Sequence, residues 1–301
     1  MTNGTAAPIG FIGLGMMGLP MARCLLAKGF LIVACDTSAE ARAALAEGAP
    51  PQAVQFAEDP AAVAAGSTLI FTMLPTSAVV HAVMEGPRGL LSALRSGSVV
   101  VDMGSSLPGE TRRLAPLVAA RGASFVDAPV SGGVAKARNG TLAIMVGGDD
   151  ASFAIAEPAL RAMGEAIIRT GTVGSAHAMK ALNNFVYAAG LLAASEALRM
   201  GEKLGLDLPV LADVLNASSG RNFSTETKVK QDILSGKYTR GFQLGLMRKD
   251  LEIAGSIAEE TGFDAQALAV CRTQWTRAVE ALGPTVDNSE IHRFLGLGEK
   301  A

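Results

Sequence analysis

Apolar residues run through the first half of the chain in short, nearly continuous blocks, with polar residues gathered between them at helical spacing. The blocks at 9–12, 30–35, 68–73, 98–102, 124–129, 142–146 and 166–169 read as strands. The stretches at 39–47, 108–121 and 151–163 carry Ala, Leu, Glu and Arg in helical periodicity. Strands apolar on both faces and separated by helices predict a parallel sheet covered on each side. Beyond Gly171 the strand pattern stops, and long helical stretches follow at 175–204, 209–218, 223–234, 243–261 and 265–282. The expected architecture is an α/β doubly wound domain over 1–171, then an all-α domain over 172–301. The long helix at 175–204 would link the two.

Composition narrows this picture without changing it. Hydrophobic residues are 49% and charged residues 18% of 301, a globular balance. A formal net charge of −2 gives no reason to expect a nucleic-acid partner or an anionic membrane surface. Cys24, Cys35 and Cys271 have no metal-ligand spacing and read as reduced thiols. His81, His177 and His292 are scattered, so no metal site is expected. Residues 1–7 lack the basic flank and apolar stretch of a secretory signal. The longest apolar run, 184–198, is interrupted by Glu196 and falls short of a membrane span. A cytoplasmic protein is the resulting expectation.

The first strand runs directly into Gly13-Leu14-Gly15-Met16-Met17-Gly18 and then an apolar helix. In that context Gly13 suits the tight turn, Gly15 a close approach of backbone to pyrophosphate, and Gly18 close helix–strand packing. The helix N-terminus would offer the anion free N–H groups and a favourable dipole. The second strand ends on Asp36, about twenty residues after Gly13, where an acid can hold the adenosine ribose and repel a 2′-phosphate. This predicts a Rossmann-type domain that prefers NAD to NADP.

Several blocks, in order, then resemble the 3-hydroxyisobutyrate dehydrogenase (β-hydroxyacid dehydrogenase) family, related to 6-phosphogluconate dehydrogenase. They are the glycine block with Leu19-Pro20-Met21-Ala22, Met73-Leu74-Pro75-Thr76-Ser77, Asp127-Ala128-Pro129-Val130-Ser131-Gly132-Gly133, the 140–148 segment, 180–184 and Lys249-Asp250. The resemblance covers nearly the whole chain. It implies that Leu74 and Pro75 run along the dinucleotide, that Ser105 supplies a cofactor-contacting hydroxyl, and that Lys249 reaches the nicotinamide. It also implies a homodimer or homotetramer.

At the chemical end, Ser131-Gly132-Gly133 could expose backbone N–H groups to a carboxylate, or form a plain turn. The resemblance favours carboxylate binding. Lys180 and Asn184 are four residues apart and share a helix face, with Tyr187 next along it. Met179, Leu182 and Val186 beside them suggest a partly buried stripe. The family spacing implies Lys180 as general acid/base and Asn184 as the residue orienting the reacting centre. A free lysine titrates near 10.4, so base action at neutral pH needs burial or a neighbouring positive charge, whereas acid action needs neither. Arg221, in the loop 219–223, could reach an extra acidic or hydroxyl group on the substrate, or be a solvated loop residue.

The expected activity is NAD-dependent hydride transfer to and from a small 3-hydroxy acid. Alternatives are an NADH-dependent semialdehyde reductase of the tartronate or sulfolactaldehyde type, and a non-catalytic dinucleotide-binding module. Lys180 argues against an imine reductase, whose relatives generally lack that lysine. Two departures from the family pattern stand out. Ala176 replaces a usual glycine, and the run after Asp102 differs from the usual Ser-Thr.

Overall fold

The computed structural model describes residues 7–239 and 241–297. The chain divides into two compact units, Met1–Lys180 and Ala181–Ala301.

In the first unit, β1 (Ile9–Ile12), β2 (Ile32–Cys35) and β5 (Val99–Asp102) are buried at every position, as strands covered on both faces must be. With β3 (Val54–Phe56), β4 (Leu69–Thr72), β6 (Ser124–Asp127), β7 (Val130–Ser131), β8 (Leu142–Gly147) and β9 (Gly164–Gly171) they make one sheet. Its order is β3-β2-β1-β4-β5-β6-β8-β7, with β9 also on β8. The stretch from β3 to β6 is parallel and has the Rossmann order. Beyond β6 the sheet, parallel up to that point as expected, includes antiparallel pairs. β8 runs antiparallel to both β6 and β7, while β9 is parallel to β8. The strand predicted at 124–129 is observed as β6 over Ser124–Asp127, and after Pro129 the chain forms the separate two-residue strand β7, which the pattern did not show. β3 escaped the pattern because it has three residues and none is buried.

Helices flank the sheet on both faces. α1 (Gly18–Ala27), α2 (Ala39–Ala46), α6 (Gly133–Asn139) and α7 (Asp150–Met163) share a core with Phe11, Ile32, Phe71 and Val101. α3 (Pro60–Gly66), α4 (Ser77–Glu85) and α5 (Pro108–Ala119) share the opposite core with Ile12, Val33, Ile70 and Val100. The alternation within each strand sends successive side chains to the two cores. Caps place the helix starts: Ser38, Asp59, Thr76 and Asp149 each accept a backbone N–H three residues on.

α8 (Ser175–Lys203) carries the unit division within it. The second unit continues with α9 (Leu208–Ala217), a π-wound helix over Thr225–Ile233, α10 (Leu244–Thr261), α11 (Gln266–Leu282) and α12 (Ile291–Gly296). α10 and α11 pack on each other. Leu244, Met247, Leu251 and Ala254 form the buried stripe of α10, and Trp275 is fully buried on α11. Among the described residues no helix is long and apolar enough to cross a membrane.

Candidate active site

The three glycines after β1 meet three different surroundings. Gly13 has φ +97°, and a Cβ there would run into the carbonyl oxygen of Met73. Gly18 faces the Gly13 carbonyl, and a Cβ would also lie 3.3 Å from the Phe11 ring. Gly15 differs, since a Cβ there meets nothing within 4 Å. That open space is what a pyrophosphate needs from the backbone beside it. Leu14 is buried, Met16 is exposed and Met17 half-buried. Met17 gives α1 no side-chain cap, and the first turn of α1 carries no acid. The end of α1 is therefore left for an anion. A dinucleotide fits this loop.

Asp36, at the end of β2, holds the loop from the side. Its Oδ2 accepts the Leu14 N–H at 2.5 Å and its Oδ1 accepts the Ser38 N–H at 2.7 Å. Arg42 donates to the Asp36 carbonyl. A carboxylate has about four acceptor positions, so two bonds leave capacity for ribose hydroxyls.

Leu74 and Pro75 follow β4, and Ser105 follows β5, all at the carboxyl edge of the sheet. Leu74 and Ser105 are half-buried and Pro75 exposed. Asp102 ties these strand ends together. Its Oδ1 accepts from Thr72 Oγ1 at 3.0 Å and from Gly104 N–H at 3.1 Å, and its Oδ2 from Ser106 Oγ at 2.6 Å. Asp102 escaped attention in the sequence because an acid ending an apolar strand reads as a boundary. The signal was there in duplicate, since Asp127 ends the neighbouring strand in register with it.

Ser131 is the last residue of β7 and pairs with Ala143. Gly132 at φ +133° and Gly133 at φ +68° make the turn into α6, conformations that favour glycine. A Cβ on Gly132 would fall 2.6 Å from Lys136 Cδ, whereas Gly133 faces open space.

Lys180 and Asn184 are both buried on α8, at 8% and 3% exposure. The expected burial of this stripe holds, but Met179, Leu182 and Val186 beside it are themselves exposed, so it is the polar face of this helix segment that turns inward. Asn184 Nδ2 donates to Asp250 Oδ2 at 2.5 Å. Asp250 is buried on α10, and its Oδ1 lies 3.7 Å from Lys249 Nζ. The second unit therefore brings Asn184 and Lys249 together through Asp250, which the sequence reading did not single out. Tyr187, next along the face, accepts from Asn288 Nδ2 at 2.9 Å and stacks edge-on against Phe223. Arg221 stands apart from this group. It is exposed, with Nε 3.5 Å from Glu226 Oε1, while Asn222 beside it caps the next helix through Ser224 and Thr225 N–H.

Among the described residues no three His, Cys, Asp or Glu side chains are grouped to hold a metal ion. Cys24, Cys35 and Cys271 are free thiols.

Comparison with known proteins agrees with the geometry along both units. Residues 8–173 match the family described as the NAD binding domain of 6-phosphogluconate dehydrogenase. Residues 174–295 match that described as NAD-binding of NADP-dependent 3-hydroxyisobutyrate dehydrogenase. Human mitochondrial 3-hydroxyisobutyrate dehydrogenase is 38% identical over 260 residues, 84% of this chain and 76% of its own. The chain belongs to the 3-hydroxyisobutyrate dehydrogenase family. Within that family, 2-(hydroxymethyl)glutarate dehydrogenase of Eubacterium barkeri is 42% identical over 253 residues, covering 84% of this chain and 82% of its own. The structure of 3-hydroxyisobutyrate dehydrogenase from Mycobacterium tuberculosis with L-serine superposes with a TM-score of 0.89 at 30% identity, over 96% and 99% of the two chains. As a member of the family, the protein is an NAD(P)-dependent hydroxyacid dehydrogenase.

Proposed function

We propose that the enzyme uses NAD to oxidise a small 3-hydroxy acid, or reduces the matching semialdehyde with NADH, with Lys180 transferring the proton. The observation that carries this reading is the burial of Lys180 four residues before a buried, oriented Asn184. Lysine is rarely buried unless paired or functional. The bound dinucleotide supplies the hydride acceptor or donor. Gly13, Leu14, Gly15, Met16, Met17 and Gly18 hold its pyrophosphate, Leu74, Pro75 and Ser105 border it, and Lys249 reaches its nicotinamide. Asp36 selects NAD, because a 2′-phosphate beside a carboxylate is repelled.

Ser131, Gly132 and Gly133 take the substrate carboxylate through N–H groups and the hydroxyl. Asn184 orients the alcohol. Lys180 accepts the hydroxyl proton as the C–H bond gives up its hydride and the C–O bond becomes a carbonyl. In reduction the Lys180 ammonium returns that proton to the forming alkoxide, so no free alkoxide accumulates.

Each related substrate name carries a hydroxyl on the carbon next to the one bearing the carboxylate, and 2-(hydroxymethyl)glutarate adds a second carboxylate. The relative at 42% identity makes that diacid the first to try. Arg221 is the side chain assigned to its second carboxylate. The exposed Met179, Leu182 and Val186 suit burial in a homodimer or homotetramer, which sedimentation measures.

The deciding experiment follows NAD reduction with 3-hydroxyisobutyrate, 2-(hydroxymethyl)glutarate, serine and glycerate, in wild type and Lys180→Ala. Loss of turnover by about 10²–10⁴-fold in the variant, with NAD still bound, supports the lysine role. Full activity in the variant removes it. NAD binding without turnover of any acid or semialdehyde would favour a non-catalytic module.

A further inference from the structure

The first turn of α8 is held by a residue from far along the chain. Asp127 Oδ1 accepts the Gly174 N–H at 2.7 Å and Oδ2 accepts the His177 N–H at 2.9 Å. Helix starts leave such N–H groups without an acceptor inside the helix. Here a fully buried carboxylate at the end of β6 satisfies two of them from 47 and 50 residues away. Space for it is kept by Gly147, its partner across the sheet. A Cβ there would lie 2.5 Å from Asp127 Oδ1 and 2.8 Å from the Thr172 carbonyl oxygen.

The His177 side chain fastens the same turn from another direction. Its Nδ1 is 2.8 Å from Thr111 Oγ1 on α5, and its Nε2 is 3.8 Å from Asp102 Oδ2. Asp102 already gathers Thr72, Gly104 and Ser106. The first turn of α8 is thus anchored to the carboxyl edge of the sheet at β5 and β6.

Two residues of the proposed chemistry hang from this anchor. Lys180 follows His177 by three residues, and Ser131 follows Asp127 by four. We propose that Asp127 is a positioning residue for proton transfer, fixing through its two bonds to α8 where Lys180 stands relative to the segment that carries Ser131. This rests on Lys180 being the proton-transfer residue. A plain helix cap would act on stability and leave the chemical step alone. A positioning residue acts on the rate through the lysine, because displacement of a reacting group by about 1 Å can cost on the order of 10²-fold.

The test is a double-mutant cycle with Asp127→Asn, which keeps the size but turns one acceptor into an NH2 facing an N–H. In the wild-type background kcat should fall on the order of 10²-fold, with NAD affinity within about twofold. Amide hydrogen exchange across 172–182 of the cofactor-free protein should quicken. In the Lys180→Ala background the same substitution should change the residual single-turnover rate by less than about twofold, because the two act as one unit. Should Asp127→Asn fail to fold, Gly147→Ala displaces the carboxylate without changing charge, and the same non-additivity is expected. Equal losses in both backgrounds, or a loss of stability with kcat intact, overturn the proposal. Full activity in Lys180→Ala alone overturns the lysine reading and this one with it.

Discussion

Asn184 Nδ2 donates to Asp250 Oδ2 at 2.5 Å, and both side chains are buried. An amide rotates freely about its last torsion, so its partner decides which way its oxygen faces. With Nδ2 committed to Asp250, Oδ1 is directed elsewhere, and it accepts from Asn183 Nδ2 at 3.1 Å. Asp250→Asn keeps the volume but replaces a charged acceptor with a neutral amide. A hydrogen bond to a charged group contributes about 1.5–3 kcal/mol. Because Asn184 is assigned to the reacting centre, part of that appears in the rate. The expected outcome is a fall in kcat of about tenfold or more, with KM for NAD nearly unchanged, read from steady-state kinetics.

The glycine loop predicts opposite effects from the same substitution. Gly15→Ala adds a methyl that meets nothing in the protein, so the melting temperature should stay near that of wild type. Its Kd for NAD should rise about tenfold or more, the equivalent of 1.4 kcal/mol. Gly13→Ala combines φ +97° with a clash at the Met73 carbonyl, and should lose about 2–4 kcal/mol of stability. Thermal melts and NAD titration separate the two variants. Equal loss of stability in both would refute the assignment of Gly15 to ligand approach.

Where the chain had a local signal, the sequence revealed the fold closely. β1 and the start of α8 fall where the apolar blocks and the Gly174-Ser175 break place them. The crowding at Gly13 and Gly18 was legible from their place after β1, although the carbonyl that Gly13 faces belongs to the distant Met73. What escaped the sequence depends on distant pairing. Asp127 and Gly174, or Asn184 and Asp250, have nothing in their spacing to join them. The antiparallel pairing of β8 with β6 and β7 is likewise a long-range arrangement that a continuous apolar run does not reveal. Met179, Leu182 and Val186 show the limit of periodicity, which identifies an apolar stripe without saying whether anything covers it.

Asp36 gives a prediction about cofactor choice. Its carboxylate already holds Leu14 and Ser38 N–H, so removing it should loosen the loop as well as the proposed selectivity. Asp36→Asn retains one acceptor and removes the charge. NAD affinity should drop about tenfold, while kcat/KM for NADP relative to NAD rises by about tenfold or more. An unchanged NADP/NAD ratio would show that selection lies in other residues.

His292 links pH to the stability of the helical unit. Burial, followed by the nearby positive charge of Arg199, pushes its imidazole down from 6.5 to about 4. The folded protein therefore keeps this histidine neutral while the unfolded chain protonates it near its ordinary value. Between about 6.5 and 4 the unfolded state binds more protons, so stability rises with pH across that window. The contribution is fully present above about 6.5 and erodes as the pH falls towards 4, below which the folded form also protonates. His292→Gln removes the titrating group and should flatten this part of the profile, whatever its effect at neutral pH. Denaturant melts of both proteins from pH 7 down to pH 4 test this, with circular dichroism following the helices. Parallel profiles for the two proteins would mean that the acid sensitivity comes from carboxylates, whose ordinary values lie at the lower end of the range.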